Sequence, residues 1–255
     1  MKYIASYDTD KGIRKETNQD SFLLKIAGVP SGQIVFIALC DGMGGLNKGE
    51  LASKEVIEAF DFWFREELPQ LIKNGFEQER LEEQWNSLLE HMNFILLQYG
   101  EEHGCHIGTT FTAMLFMEET YYIMHVGDSR IYEIKEQLIQ LTRDHTLVQK
   151  EVDSGVLTKE QACQDRRKNI LLQSVGAIGT VVPDFFEGKI EKDAVYLLCS
   201  DGFRNRIKEA ELYTQLNPKL VTDSDRIKQK LHQLIHLAME RREQDNITAI
   251  VIRTF

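Results

Sequence analysis

Residues 35–45 read Val-Phe-Ile-Ala-Leu-Cys-Asp-Gly-Met-Gly-Gly, an apolar run that leads directly into an aspartate and a glycine-rich turn. The run has the length and the β-branched and aromatic content of a buried strand. A carboxylate at the end of a buried strand is costly unless it is paired or binds a cation. This stretch therefore predicts a core strand that carries Asp41 into a polar site.

The same pattern recurs later in the chain. Apolar runs at 121–126 and 195–199 are also followed closely by aspartates, and further aspartates lie in short polar segments. The aspartates concerned are Asp20, Asp41, Asp128, Asp144, Asp201 and Asp245. Converging carboxylates repel one another, and hard divalent cations with oxygen ligands relieve that repulsion. The pattern therefore predicts a divalent-cation site.

The remaining periodicity predicts groups of strands separated by helices. Strands are predicted at 3–7, 21–26, 33–40, 110–117, 121–126, 130–134, 137–141, 194–200 and 246–253, and helices at 50–72, 81–102 and 224–240. Residues 144–185 contain shorter helical stretches and several glycines, so they are predicted to lie outside the sheets. Strands joined by hairpins favour an α+β layered sandwich over a parallel βαβ sheet.

Composition restricts the class of protein. The chain of 255 residues with 42% hydrophobic residues can bury one sizeable core as a single domain. Its net charge of −10 disfavours nucleic acid or an anionic membrane as the main partner. No signal peptide or membrane span is predicted. The four cysteines, Cys40, Cys105, Cys163 and Cys199, are scattered singly, which indicates a reduced, cytoplasmic protein.

Six motifs occur in a specific order. They are Asn18-Gln19-Asp20, Asp41-Gly42-Met43-Gly44-Gly45, Gly108-Thr109-Thr110, Val126-Gly127-Asp128-Ser129-Arg130, Ser200-Asp201-Gly202 and Asp245-Asn246. Together they resemble the signatures of the metal-dependent protein phosphatases, the PPM or type 2C family, in its compact bacterial form. The resemblance implies a four-layer α-β-β-α sandwich with two central antiparallel sheets and a metal site at one edge. It also implies a single domain over 1–255, with a flap subdomain at about 144–185.

The resemblance implies a catalytic centre with two Mn²⁺ or Mg²⁺ ions. Asp41 would bridge the ions, the Gly42 carbonyl would be a further ligand, and Asp201 and Asp245 would complete the shell of one ion. Asp20 would act directly or through water. A shared hydroxide would then attack phosphorus in line, without a phosphoenzyme.

Two further positions follow from the same resemblance. Asp128, with Asp201, resembles the position of a third ion in bacterial members. Asn246 could orient Asp245 or a metal-bound water.

Phosphate binding also requires a cation from the protein. Family members commonly carry an arginine three residues before the asparagine of the first motif, where this chain has Lys15, with Arg14 beside it. Lysine offers a point charge instead of a bidentate fork, so either Lys15 or a shifted Arg14 is predicted to hold the phosphate. Two solvated loop charges are the competing interpretation.

The general acid has no clear candidate. Relatives often carry a histidine within or just after the second motif, but this chain has Met43 and Leu46 there. A metal-bound water or another residue would then protonate the leaving group. His145 is interpreted as a structural loop residue.

Two other features have weaker functional interpretations, the cysteines and a short basic run. The buried cysteines lack the phosphate-binding loop that a cysteine phosphatase needs. The basic run 166–168 could contact an acidic phosphopeptide, although a solvated helix face is the preferred interpretation.

The leading hypothesis is a serine/threonine protein phosphatase that acts on phosphoproteins as a monomer and opposes a serine/threonine kinase. One alternative is a phosphatase of small phosphate esters. Another is a pseudophosphatase that binds phosphoproteins without hydrolysis, although all the expected aspartates are present. A purely structural role would leave the cost of converging carboxylates without compensation.

Overall fold

The computed structural model describes residues 1–30, 32–44 and 48–255. Gly45 and Leu46, which belong to the predicted second motif and its flank, lie outside the described residues. The strands are β1 (Tyr3–Asp10), β2 (Asp20–Val29), β3 (Gly32–Gly44), β4 (Ile107–Thr109), β5 (Phe111–Met117), β6 (Thr120–Val126), β7 (Arg130–Ile134), β8 (Leu138–Gln140), β9 (Asp184–Lys189), β10 (Val195–Cys199) and β11 (Ile247–Thr254). The helices are α1 (Lys48–Phe62), α2 (Leu68–Lys73), α3 (Gln78–His103), α4 (Leu147–Asp153), α5 (Lys159–Gln164), α6 (Asp201–Arg204), α7 (Glu209–Leu216) and α8 (Ser224–Glu240).

The strands form two antiparallel sheets. Sheet A has the order β1-β11-β10-β7-β8, and sheet B has the order β2-β3-β5-β6-β9 with β4 paired to β3. The first and last strands are neighbours, so sheet A joins the two ends of the chain. This arrangement confirms the predicted antiparallel sheets.

The sheets pack face to face, and helices cover both outer faces. Side chains of α1 and α3 form one core with sheet B, and side chains of α7 and α8 form another with sheet A. A third core fills the space between the sheets. The predicted four-layer α-β-β-α sandwich is therefore confirmed.

The apolar run in β3 is continuous because this strand is buried on both faces. Its even-numbered side chains, Phe36, Ala38 and Cys40, pack toward the helices. Its odd-numbered side chains, Val35, Ile37 and Leu39, pack between the sheets. By this alternation, Asp41 lies on the side that faces sheet A.

Most predicted elements are present, with some differences. The predicted helix at 50–72 is α1 and α2 joined by a π-helical turn at Trp63–Glu67. The strands β4 and β9 and the helices α6 and α7 were not predicted from the sequence, and β9 begins at Asp184, inside the segment 144–185 that was predicted to lie outside the sheets. The strand β9 has no fully buried residue, so its sequence lacks the apolar content of a core strand. No helix in the described ranges is long and apolar enough to cross a bilayer.

Candidate active site

Asp20 and Asp41 face each other across the β2–β3 pair at one end of the sandwich. The main chain of Asp41 is held on both sides. Its N–H donates to Thr110 Oγ1 at 2.9 Å, and its carbonyl accepts from Thr110 N at 2.9 Å and from Thr109 Oγ1 at 3.0 Å. The Gly-Thr-Thr motif thus fixes the position of the central aspartate.

Gly42 lies where the backbone of three segments meets. A Cβ at this position would stand 2.2 Å from the Gly49 carbonyl oxygen and 2.6 Å from the Gln19 carbonyl oxygen. The Gly42 N–H donates to that Gln19 oxygen at 3.1 Å. Because Gly42 has no side chain, the first turn of α1 packs directly against the segment that carries Asp41.

Asp201 begins α6, immediately after β10. Its Oδ2 accepts from Asn205 Nδ2 at 3.1 Å, whereas its Oδ1 is buried and has no hydrogen-bond partner. A Cβ on Gly202 would lie 2.1 Å from the Asn246 carbonyl oxygen. Gly202 therefore lets the segment with Asp201 pack against the segment with Asp245.

Asn246 connects the N-terminal loop to the last strand. Its Oδ1 accepts from Gln19 N at 2.9 Å, and its Nδ2 donates to the carbonyls of Lys11 and Thr17, both at 3.0 Å. Its own N–H donates to Asp245 Oδ1 at 2.9 Å. Asn246 therefore holds the backbone that leads to Asp20 as well as the Asp245 carboxylate.

Two carboxyls of this site, Asp20 and Asp41, have raised pKa values. Desolvation, followed by the charges of Asp201 and Asp245, raises the pKa of Asp20 to about 7, although the hydroxyls of Thr248 and Ser200 lower it in part. Neither Oδ atom of Asp20 accepts a hydrogen bond of good geometry.

Asp41 keeps part of its surface open, but desolvation and the neighbouring Asp20 still raise the pKa of its carboxyl well above the usual range. Buried carboxylate oxygens without donors fit hard divalent cations, which take oxygen ligands. In the described part of the chain, no three Asp, Glu, His or Cys side chains already form a closed ligand cage. The fit therefore rests on the donor chemistry and on the orphaned oxygens.

Lys15 contacts this cluster, whereas Arg14 is exposed and makes a different contact. Lys15 Nζ is 2.7 Å from Asp245 Oδ1, with the two side chains 38% and 35% exposed. Desolvation lowers the pKa of Lys15, but the hydrogen bond to Asp245 and the nearby carboxylates outweigh it, so the pKa is raised. Arg14 Nη1 instead donates to Gln244 Oε1 at 2.7 Å on the surface.

Asp128 belongs to a buried network of charges beside the cluster. Arg130 binds Asp144 with two hydrogen bonds of 2.7 Å and also donates to Tyr132 Oη at 2.9 Å. Arg204 Nη2 lies 3.3 Å from Asp144 Oδ2 and 3.6 Å from Asp128 Oδ2. Arg204 was not predicted from the sequence, because it belongs to none of the six motifs.

In this network, the pKa of Asp128 is raised and the pKa of Asp144 is lowered. Desolvation and Asp201 raise the pKa of Asp128 to about 7, against the opposing effect of Arg204. Desolvation also acts to raise the pKa of Asp144, but Arg204 and Arg130 outweigh it and the pKa is lowered.

His145 has a structural setting. Its Nδ1 accepts from Gly127 N at 3.4 Å, and its Nε2 lies 3.0 Å from Asp184 Oδ2. These contacts agree with the interpretation of His145 as a loop residue that joins the Gly-Asp-Ser-Arg segment to β9.

The three basic residues at 166–168 lie in a turn after α5, so the predicted helix face is wrong, and their surroundings differ. Arg166 is exposed, whereas Arg167 pairs with Glu151 at 2.7 Å and Asp165 at 2.8 Å. Lys168 Nζ donates to Asn205 Oδ1 at 3.4 Å. Arg167 is thus part of an internal ion pair of the segment between β8 and β9.

The cysteines offer no nucleophile at this site. Cys40 and Cys199 are buried, as predicted, and desolvation raises the pKa of both thiols, that of Cys199 to about 12. A thiol with so high a pKa is not ionised near neutral pH.

Comparison with known proteins identifies relatives along nearly the whole chain. The family model for protein phosphatase 2C matches residues 11–236. A serine/threonine phosphatase, stp, from Listeria innocua is 31% identical over 257 residues, covering 97% of this chain and 94% of the relative.

Solved structures agree with this match. The serine/threonine phosphatase of S. agalactiae has a TM-score of 0.85 at 28% identity and covers 100% of both chains. The catalytic domain of the serine/threonine protein phosphatase PstP, in complex with 2 manganese ions, has a TM-score of 0.75 at 26% identity and covers 99% of both chains. By its sequence, its fold and its relatives, this chain belongs to the protein phosphatase 2C family.

Proposed function

We propose that the chain is a metal-dependent phosphatase that hydrolyses phosphoserine and phosphothreonine in proteins. The observation that carries this proposal is the facing pair Asp20 and Asp41, with both Asp20 oxygens buried and unpartnered, at the edge where Asp201 and Asp245 also lie. The serine/threonine phosphatases among its relatives support the same substrate class.

The residues proposed to hold two Mn²⁺ or Mg²⁺ ions share oxygen donors and lie at one edge of the sheets. They are Asp20, Asp41, Asp201 and Asp245, together with the carbonyl of Gly42. When bound, such ions supply a nucleophile at neutral pH and neutralise the negative charge of the phosphoryl group. A third ion at Asp128 and Asp201 stays a prediction.

Within this site, Lys15 is proposed to bind the substrate phosphate, and Asn246 is proposed to hold the loop that carries Lys15. Lys15 is the cation that we propose for phosphate binding, because its ammonium lies at the carboxylate cluster while Arg14 pairs with Gln244. Asn246 keeps the loop that carries Lys15 attached to the segment with Asp245. Loss of the Lys15 side chain, which is 38% exposed, should therefore disturb substrate binding more than folding of the sheets.

The relatives are serine/threonine phosphatases, which favours phosphoprotein hydrolysis over the two alternatives. Those alternatives are a phosphatase of small phosphate esters and a chain that binds phosphoproteins without hydrolysis. The complete set of aspartates favours hydrolysis. The opposing serine/threonine kinase, the monomeric state and the cytoplasmic location are predictions that go with the proposal.

The test is phosphate release from a phosphothreonine peptide by metal-stripped protein, with Mn²⁺ or Mg²⁺ added back. Asp41→Asn should abolish release, whereas Asp225→Asn, on the exposed face of α8, should leave it unchanged. Release from p-nitrophenyl phosphate but not from the peptide would favour a small-ester phosphatase. Mn²⁺ binding without turnover of either substrate would favour a binding role.

A further inference from the structure

Arg204 places a fixed positive charge beside Asp128. It is the last residue of α6, three positions after Asp201, and its side chain is only 13% exposed. Its Nη2 donates to the Asp128 carbonyl oxygen at 2.8 Å and stands 3.6 Å from Asp128 Oδ2. The guanidinium therefore contacts both the main chain and the carboxylate of Asp128.

The charges around Arg204 are balanced within the protein. Asp144 takes a bidentate contact from Arg130 and a further contact from Arg204 at 3.3 Å. Two guanidinium groups thus face two carboxylates, Asp144 and Asp128. Because arginine stays protonated at every accessible pH, the two positive charges of this network are permanent.

The second donor expected for a third ion is also engaged. Asp201 Oδ2 accepts a hydrogen bond from Asn205 at 3.1 Å, which leaves only Oδ1 free of a donor. A divalent ion placed at Asp128 would lie near the Arg204 guanidinium, and like charges at such short range repel strongly.

We infer that Arg204 competes with a third divalent cation for Asp128, so that the chain binds two ions and uses a guanidinium at the third position. This inference rests on the proposed two-ion site and adds a residue to it. Arg204 then also holds Asp128 in place through the main-chain hydrogen bond.

The experiment counts Mn²⁺ ions bound to the full-length, metal-stripped protein by equilibrium dialysis and titration calorimetry. We expect two ions per wild-type chain and the same count for Asp128→Asn. Arg204→Met, which keeps the length and removes the charge, should bind an additional ion. The affinity of that ion should exceed any residual wild-type binding by about tenfold or more, since a neighbouring like charge has been removed. Adding Asp128→Asn to Arg204→Met should abolish the extra ion.

The inference is overturned if Asp128→Asn removes an ion from the wild-type count, or if folded Arg204→Met gains none. Circular dichroism establishes whether Arg204→Met is folded. If that variant does not fold, the Asp128→Asn count decides the question by itself. Asp41→Asn separates the two proposals, because unchanged Mn²⁺ binding in that variant would refute the two-ion site itself.

Discussion

Replacing Asp20 with asparagine should stabilise the protein in EDTA at pH 8. The carboxyl of Asp20 has its pKa raised from 3.8 to about 7, mainly by desolvation. Each pKa unit corresponds to about 1.36 kcal/mol, so ionised Asp20 opposes folding by up to about 4 kcal/mol above pH 7. The buried asparagine amide would reduce this gain in stability by about 1–2 kcal/mol, because its hydrogen-bonding groups would lack partners. The expected net gain is about 2–3 kcal/mol.

The sign of the pH dependence follows from the same shift. The folded protein binds more protons than the unfolded chain between the unfolded pKa of 3.8 and the folded pKa of about 7. Stability should therefore fall as pH rises through this window, and it should fall less steeply in Asp20→Asn.

Urea unfolding at pH 5 and pH 8 in EDTA measures both effects, with Asp225→Asn as the matched surface control. If Asp20→Asn is less stable than wild type at pH 8, Asp20 does not oppose folding and the assignment of a cation site to its orphaned oxygens loses its basis. Added Mn²⁺ should stabilise wild type more than the variant.

Four further outcomes are expected. Asp41→Asn and Asp201→Asn should each lower phosphate release to background while circular dichroism shows a folded protein. Wild-type turnover in Asp41→Asn would refute the assignment of Asp41 as a bridging ligand. Lys15→Ala should raise KM for a phosphopeptide by about tenfold with a smaller change in kcat, since a point charge to phosphate is lost; an unchanged KM would point to Arg14 or another cation. Burial, followed by His145, lowers the pKa of His125 from 6.5 to about 4. Neutral His125 therefore contributes up to about 3 kcal/mol to the free energy of unfolding above pH 6.5, and this contribution is lost as pH falls toward 4. His125→Gln should reduce the fall in the free energy of unfolding between pH 6.5 and 4 in urea experiments, and an unchanged fall would contradict the argument from burial. Gly202→Ala should lower both stability and Mn²⁺ affinity, because its Cβ would stand 2.1 Å from the Asn246 carbonyl oxygen; wild-type values for both would show that the segment can relax.

The sequence predicted those features that depend on local pattern. The run before Asp41 is continuous and apolar because β3 is buried on both faces, and α8 has the predicted bounds of Ser224–Glu240 because its apolar spacing is regular. The strand β9 escaped prediction because it lies at a sheet edge with mixed polarity.

The features that were missed depend on contacts between distant segments. Arg204 contacts Asp128 across 76 positions of the chain, and no local pattern reports such a contact. The sequence left Lys15 and Arg14 as alternatives for phosphate binding. The contact of Lys15 with Asp245 joins segments that are distant in the chain, so local pattern does not report it.

The pairing of β1 with β11 has a consequence for how the protein is made. Contacts between the two ends of a chain have the highest possible sequence separation, and such contacts slow folding. Sheet A cannot be completed before β11 has been synthesised, and the site draws on Asp20 near one end and Asp245 near the other. A chain that stops at Asp245 contains every aspartate of the site, but without β11 the strands β1 and β10 have no partner between them. Phosphatase activity should therefore require β11 to be paired with β1 and β10, in addition to the presence of the aspartates.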